Sequence, residues 1–170
     1  KLAYLPIKGI QKRMKTGSAF IDKYKCRGFR SPSYHRTRNL YGVIDDYFDY
    51  DMSMHDTFED VNRPGVNQEG CSTVFPFMLQ DTNLLQIPTT VPEDFSLELS
   101  GMSPSEALGT QKEALRSLAF RKGVANIHTH PEPQLSARPE WIENYRQLID
   151  HLAEDEVAWV ALPCEVCKWW

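Results

Sequence analysis

Residues 103–129 decide the fold, reading SPSEALGTQKEALRSLAFRKG and then, without a break, VANIHT. The first part predicts a helix with a capping box, because Ser103 can accept a hydrogen bond from the amide of Glu106 and Glu106 can return one. Gly123 is typical of the left-handed residue that ends a helix. The run 124–129 then predicts a strand. A helix that leads directly into a strand indicates an α/β fold.

The same alternation is found on both sides of this stretch. Apolar spacing predicts helices over 9–25, from Leu40 to about Asp46, and from Pro139 to Leu152. Strands are predicted at 26–31, 47–51 and 157–162, the last as a strand covered on both faces. Two apolar runs, 73–79 and 84–88, flank turn residues and predict a hairpin, and 55–70 predicts a long irregular loop. We therefore expect residues 1–170 to form one α/β domain around a mainly parallel sheet or barrel, with a β-hairpin insertion.

Composition excludes several classes of protein. Hydrophobic residues make up 41% and charged residues 25%, which is ordinary for a globular domain and unlike collagen or a disordered chain. Lys and Arg number 19 against 23 Asp and Glu, a net charge of −4, which argues against a dedicated nucleic-acid binder. No apolar run approaches the ~20 residues that span a bilayer. The four cysteines, Cys164-x-x-Cys167 included, are predicted to be free thiols.

Polar residues follow three of the predicted strands. Arg30, Asp51 and the pair His128-x-His130 all lie near strand ends, where α/β folds place their chemistry. Each also has a structural interpretation: an ion pair for the arginine, a turn carboxylate for the aspartate, and a satisfied imidazole for either histidine. Residues two apart on a strand share a side, so the two histidines could hold a metal. No third ligand is identifiable from spacing, which leaves His128 a weak metal candidate.

Five short motifs occur in a familiar order. They are Gly28-Phe29-Arg30-Ser31-Pro32, Tyr50-Asp51-Met52-Ser53, Gly70-Cys71-Ser72-Thr73-Val74-Phe75-Pro76, Ile87-Pro88-Thr89-Thr90 and Thr129-His130-Pro131-Glu132. This order and spacing resemble the second half of polysaccharide deacetylases, carbohydrate esterase family four. The resemblance extends from about Cys26 to Trp159. It implies a distorted (β/α) barrel, of which this chain would be the C-terminal portion.

The resemblance also implies an activity and a set of site residues. The family removes N- or O-acetyl groups from amino sugars with a divalent metal, usually zinc. Carried onto this sequence, His130 is the general acid, preferred over His128 because the His-Pro pair matches the family pattern. Asp51 is then the carboxylate that tunes this acid, and Arg30 orders the carboxylate that acts as base.

Two family motifs are missing from this chain. The motifs that supply the base, the first metal-binding Asp and the two metal-binding His precede the arginine motif, and neither occurs between Lys1 and Cys26. We therefore expect the metal to be bound through residues outside this chain, and the isolated chain to be inactive. The expected partners are an acetylated glycan and either the missing N-terminal segment or another copy of the chain.

Two other functions remain open on the sequence. The chain could be a non-catalytic carbohydrate-binding remnant of the same fold, with strand-end aromatic residues that hold a sugar. It could also be an unrelated α/β domain that binds other proteins.

Overall fold

The computed structural model describes residues 1–56, 70–135, 137–155 and 157–170. These residues form six α-helices: α1 (Ile7–Tyr24), α2 (Arg38–Ile44), α3 (Asp94–Leu99), α4 (Pro104–Arg121), α5 (Pro139–Ala153) and α6 (Pro163–Trp169). The strands are β1 (Gly28–Phe29), β2 (Tyr50–Asp51), β3 (Phe77–Met78) and β4 (Leu85–Gln86). Most of the loop predicted over 55–70 lies outside the described residues. No described helix combines the length and the apolar character needed to cross a membrane.

The chain divides into two compact units. The first comprises 1–54, 75–88 and 161–170, and the second comprises 55–74 and 89–160. The prediction of a single domain over 1–170 stays a prediction.

The sheet belongs to the first unit and has the strand order β1-β2-β4-β3. β1 pairs with β2 and β2 with β4 in parallel, while β3 and β4 are antiparallel. The hairpin prediction is confirmed, because the amide of Leu79 donates to the carbonyl of Leu84 across a turn in which Asp81 is left-handed. Each strand has only two residues, and the described residues do not close a barrel.

The core of the first unit lies between α1 and α2. Ile10 and Met14 on α1 and Leu40 and Ile44 on α2 are buried together with Leu84 next to the hairpin turn. Both predicted helices are confirmed, and the helical spacing of these buried residues explains why they could be predicted from the sequence. At the start of α2 the Thr37 hydroxyl accepts a hydrogen bond from the Leu40 amide at 3.1 Å, which satisfies a helix-end donor.

Position 28 leaves little room for a side chain. Gly28 pairs with Tyr50 across the β1–β2 ladder, and a Cβ at residue 28 would lie 2.1 Å from the tyrosine ring. A larger residue would force the tyrosine ring to shift, so the glycine that opens the arginine motif has a packing role.

The helix predicted over 103–123 is confirmed in the second unit. Ser103 caps α4, and its amide donates to the Glu106 carboxylate at 2.8 Å. The predicted helix end is wrong by one residue, because Lys122 (φ 58°) is left-handed rather than Gly123. Gly123 serves close packing instead, since a Cβ there would lie 2.6 Å from a methyl group of Val74.

The strand predicted over 124–129 does not form. The Thr90 hydroxyl donates to the Val124 carbonyl at 2.6 Å and accepts from the Asn126 amide at 3.0 Å. A side chain thus takes the bonds that a neighbouring strand would make, and no regular ladder develops. These bonds hold the segment beside Thr90 and Val91.

The strand predicted over 157–162 is also wrong. Val157 is 94% exposed and Val160 is 83% exposed, so the run is not covered on both faces. An apolar run becomes a buried strand only when neighbouring strands satisfy its backbone, and none of the four described strands pairs with it.

The prediction for α5 is correct in position and wrong in part of its buried face. Trp141 and Leu148 are buried, but Ile142, Tyr145 and Ile149 are more than two-fifths exposed. Only a narrow strip of the helix contacts the core, because α5 packs mainly against the single helix α4.

Candidate functional site

The site is built where an extended segment enters α3. Glu93 immediately precedes the helix, Asp94 is its first residue, and both are buried. An acidic residue in the first turn is favoured by the positive end of the helix dipole. The Asp94 carboxylate also accepts a hydrogen bond from the Phe95 amide at 2.8 Å, which fixes its orientation.

His130 is held by Asp94 through two contacts. Its ring Nδ1 lies 2.7 Å from Asp94 Oδ1, and its backbone amide donates to Asp94 Oδ2 at 2.8 Å. The Phe95 ring packs beside the imidazole, with ring centroids 5.7 Å apart. Because the carboxylate contacts Nδ1, the other ring nitrogen, Nε2, is the atom left to act on a ligand.

His128 forms a second pair of the same kind. Its Nδ1 lies 2.9 Å from Glu93 Oε2, and its ring centroid lies 4.6 Å from that of His130. The prediction that the two histidines share a side is therefore confirmed, even though the segment is not a strand. Both imidazoles are about one-quarter exposed, so they are open to solvent while the carboxylates behind them are buried.

Glu93, His128 and His130 together form a group that could hold a metal ion. One potential ligand atom from each residue lies within 4.8 Å of the others. The sequence pattern supplied both histidines but neither Glu93 nor Asp94. The signal that could have found them is Pro92-Glu93-Asp94, since proline and acidic residues commonly open a helix.

Asp51 lies in the first unit, at the end of β2, and is fully buried. Its carboxylate accepts hydrogen bonds from the Ser53 amide at 3.0 Å, the Ser53 hydroxyl at 2.6 Å and, more weakly, the Tyr41 hydroxyl at 3.4 Å. Burial raises the pKa of the Asp51 carboxyl, and these hydrogen bonds partly oppose that increase.

Arg30 also lies in the first unit, and the structure brings its segment next to Asp51. Phe29 pairs with Asp51 in the parallel register, and the Ser31 amide donates to the Ser53 hydroxyl at 2.7 Å. The Arg30 guanidinium lies 5.8 Å from the centroid of the Tyr34 ring. The roles predicted for Arg30 and Asp51 toward His130 stay predictions.

No known protein family and no curated protein matches the sequence, but solved structures match the fold of the chain, among them the following two. A protein from Mycobacterium smegmatis assigned as a polysaccharide deacetylase has 18% identity and a TM-score of 0.69, covering 99% of this chain and 58% of that one. An allantoinase has 14% identity and a TM-score of 0.71, covering 100% of this chain and 55% of that one.

At these identities the matches establish the fold. This chain spans little more than half the length of either matched protein. The resemblance to polysaccharide deacetylases is thereby confirmed for the fold, a mixed α/β structure similar to that of the two matched proteins.

Proposed function

We propose that this chain is the C-terminal part of a metal-dependent hydrolase that removes acetyl groups from an N- or O-acetylated sugar or polysaccharide. The observation that carries the proposal is the pairing of His130 with Asp94. An imidazole about one-quarter exposed and backed by a buried carboxylate is a common arrangement for proton transfer to a bound substrate.

His130 would act as the general acid. In amide hydrolysis the oxygen of water adds to the acyl carbon and the carbon–nitrogen bond breaks. A base takes one proton from the water, and Nε2 of His130 gives one proton to the departing nitrogen, which leaves a free amine and acetic acid, and the acid then loses its proton to solvent as acetate. The Asp94 carboxylate, 2.7 Å from Nδ1, fixes the ring and compensates the charge of its protonated form.

Asp94 thus takes the position that the resemblance gave to Asp51. It is a positioning residue in this scheme, since it acts through the imidazole. Arg30 keeps its proposed role of ordering the base carboxylate, which the resemblance places outside this chain. A rigid guanidinium fork suits that task because it can bind a carboxylate through two parallel hydrogen bonds.

A divalent metal, with zinc the first candidate, belongs to the same proposal. It would supply Lewis-acid activation of water and of the acyl carbonyl. The donors of this chain that fit such an ion chemically are Glu93, His128 and His130. His130 cannot give a proton from Nε2 while that atom binds a metal, so the reaction's metal is assigned to residues outside this chain.

The proposed partners are an acetylated glycan and the N-terminal segment, or a second copy of the chain. The exposed run that contains Val157 and Val160 supports an association of this kind, because apolar surfaces of this type favour contact with another segment. The N-terminal segment, unlike a second copy of the chain, would also supply the base and the metal ligands.

The test is acetate release by the complete protein from acetylated chitin and xylan oligosaccharides, with and without a chelator. Allantoin is included as a second substrate, since an allantoinase matches the fold equally well. We expect chelator-sensitive acetate release that is lost in His130→Ala. If allantoin alone is hydrolysed, the substrate is an allantoin-like amide and the proposed acetylated sugar is wrong. If neither compound is hydrolysed and a glycan array shows binding, the chain is a carbohydrate-binding remnant.

A further inference from the structure

Glu93, His128 and His130 bring one carboxylate and two imidazoles together. The sequence offered His128 and His130 as a pair of possible ligands, and Glu93 supplies the third donor that spacing could not identify. Two imidazoles and a carboxylate are donors that Zn²⁺ and similar transition metals bind well. Mg²⁺ and Ca²⁺ favour sites built from oxygen atoms alone.

We propose that Glu93, His128 and His130 bind one Zn²⁺ ion within this chain, separately from any metal held by residues outside it. This cluster is called the EHH site below.

The spacing of the donors suits a zinc ion after a small adjustment. Zinc–nitrogen and zinc–oxygen bonds of about 2.0–2.1 Å place tetrahedral donors roughly 3.4 Å apart. The donors of the EHH site lie within 4.8 Å of one another, so binding draws them together by at most about 1.4 Å. Rotation of the Glu93 side chain and of the two imidazoles accommodates this movement. The one-quarter exposure of both imidazoles gives the ion a path from solvent.

Asp94 gives the EHH site the support that a chance cluster lacks. A histidine that binds a metal usually donates its other ring N–H to a carboxylate, which fixes the tautomer and the ring orientation. Asp94 lies 2.7 Å from Nδ1 of His130 and is itself fixed by the amides of His130 and Phe95. Nε2 of His130 is then the nitrogen that faces the ion.

Occupation of the EHH site has a consequence that rests on the proposed function. Zn²⁺ on Nε2 of His130 removes the atom that would give a proton to the departing nitrogen. Zinc beyond what the reaction requires should therefore inhibit the hydrolase, and His128→Ala should weaken the inhibition.

The binding test needs no enzymatic activity, so it can succeed or fail separately from the proposed function. The 170-residue chain is titrated with ZnCl₂ and, separately, with MgCl₂ by calorimetry. We expect one Zn²⁺ per chain and no binding of Mg²⁺. His128→Ala should abolish binding, and Glu93→Gln, which keeps the shape of the side chain, should weaken it strongly. Asp94→Asn should weaken binding by roughly 10–100-fold, the range for a residue that supports a metal ligand.

Two control variants identify a competing zinc site. His151→Ala removes a histidine of α5 outside the cluster and should leave binding unchanged. Cys164→Ser removes a thiol that could itself hold zinc and should also leave binding unchanged. The proposal is overturned if wild-type protein binds no zinc, if Mg²⁺ binds equally well, or if binding survives in both His128→Ala and Glu93→Gln. Loss of binding in Cys164→Ser alone would overturn it as well.

Discussion

Asp51 and Asp94 are both almost completely buried aspartates, yet their surroundings differ in kind. Asp51 is enclosed by groups that do not titrate near neutral pH, the hydroxyls of Ser53 and Tyr41 and a backbone amide. Asp94 faces an imidazole that is partly open to solvent. The first carboxylate is arranged to hold two strand ends together, and the second is arranged to support a group that can exchange protons with a ligand.

The contrast gives two candidates for the carboxylate that supports His130, one from the sequence motif and one from the geometry. The sequence resemblance selected Asp51, whereas the structure places the carboxylate of Asp94 2.7 Å from Nδ1 of the His130 ring. Four comparisons, taken from the largest expected effect to the smallest, test these two candidates and the packing around them.

The two histidines give the largest expected difference. In the complete protein, His130→Ala should lower turnover by roughly 10²–10⁴-fold, the usual contribution of a general acid. His128→Ala should have a much smaller effect on turnover, because His128 pairs with Glu93 and its loss leaves the contact between His130 and Asp94 intact. Steady-state kinetics on an acetylated oligosaccharide measures both. Loss of activity in His128→Ala with full activity in His130→Ala would contradict the assignment of the acid.

The two aspartates come next. Asp94→Asn should lower kcat by roughly 10²-fold, at the low end of the range for a general acid, because the amide no longer compensates an imidazolium. Asp51→Asn should leave kcat nearly unchanged, since an amide can still accept from the Ser53 amide and bond to its hydroxyl. The kcat values of the two variants decide which aspartate tunes His130. The opposite ranking would restore Asp51 as the tuning residue.

Glycine 28 tests the packing that positions the Asp51 region. Gly28→Ala places a methyl group against the Tyr50 ring, and we expect the free energy of unfolding to fall by about 1–3 kcal/mol, as for overpacked sites. Gly42→Ala is the matched control, because nothing lies within 4 Å of its Cβ position on α2. Alanine there should raise the stability by about 0.5–1 kcal/mol. Urea unfolding that shows equal effects for both variants would contradict the close approach of β1 and β2.

The smallest effect concerns pH and the Asp51 carboxyl. Its pKa in the folded state is raised above the usual 3.8, so the folded state holds this proton more tightly than the unfolded state. The contribution of the protonated Asp51 carboxyl to the free energy of unfolding is therefore complete below pH 3.8, and it is lost as the pH rises through the raised pKa of the folded state. Asp51→Asn should remove this part of the pH dependence. Identical slopes of stability against pH in the two proteins, from denaturant unfolding between pH 3 and neutral, would show that Asp51 is not perturbed.

Features governed by neighbouring residues could be predicted from the sequence. The capping box at Ser103 and Glu106 forms because both bonds lie within one helical turn. The β3–β4 hairpin forms because its turn residues and flanking apolar runs lie together in the chain. Arg30 and Asp51 lie at strand ends, and Phe29, the residue before Arg30, pairs with Asp51 in the parallel register.

Features that depend on distant partners could not be predicted. The run 124–129 has strand composition, but the Thr90 hydroxyl, far away in sequence, takes its hydrogen bonds. The run at Val157 has the same composition and lacks a strand partner among the described residues. Asp94 was missed for the same reason, because its contact with His130 joins residues 36 apart and leaves no periodic signal.

The central claim is that Asp94 holds the ring of His130, and nitrogen-15 NMR of the histidine rings tests it most directly. In the wild-type chain we expect Nδ1 of His130 to show a strongly hydrogen-bonded N–H signal. Asp94→Asn should shift that signal upfield, and Asp51→Asn should leave it where it is. A signal that moves in Asp51→Asn and stays fixed in Asp94→Asn would contradict the pairing on which the proposed function rests.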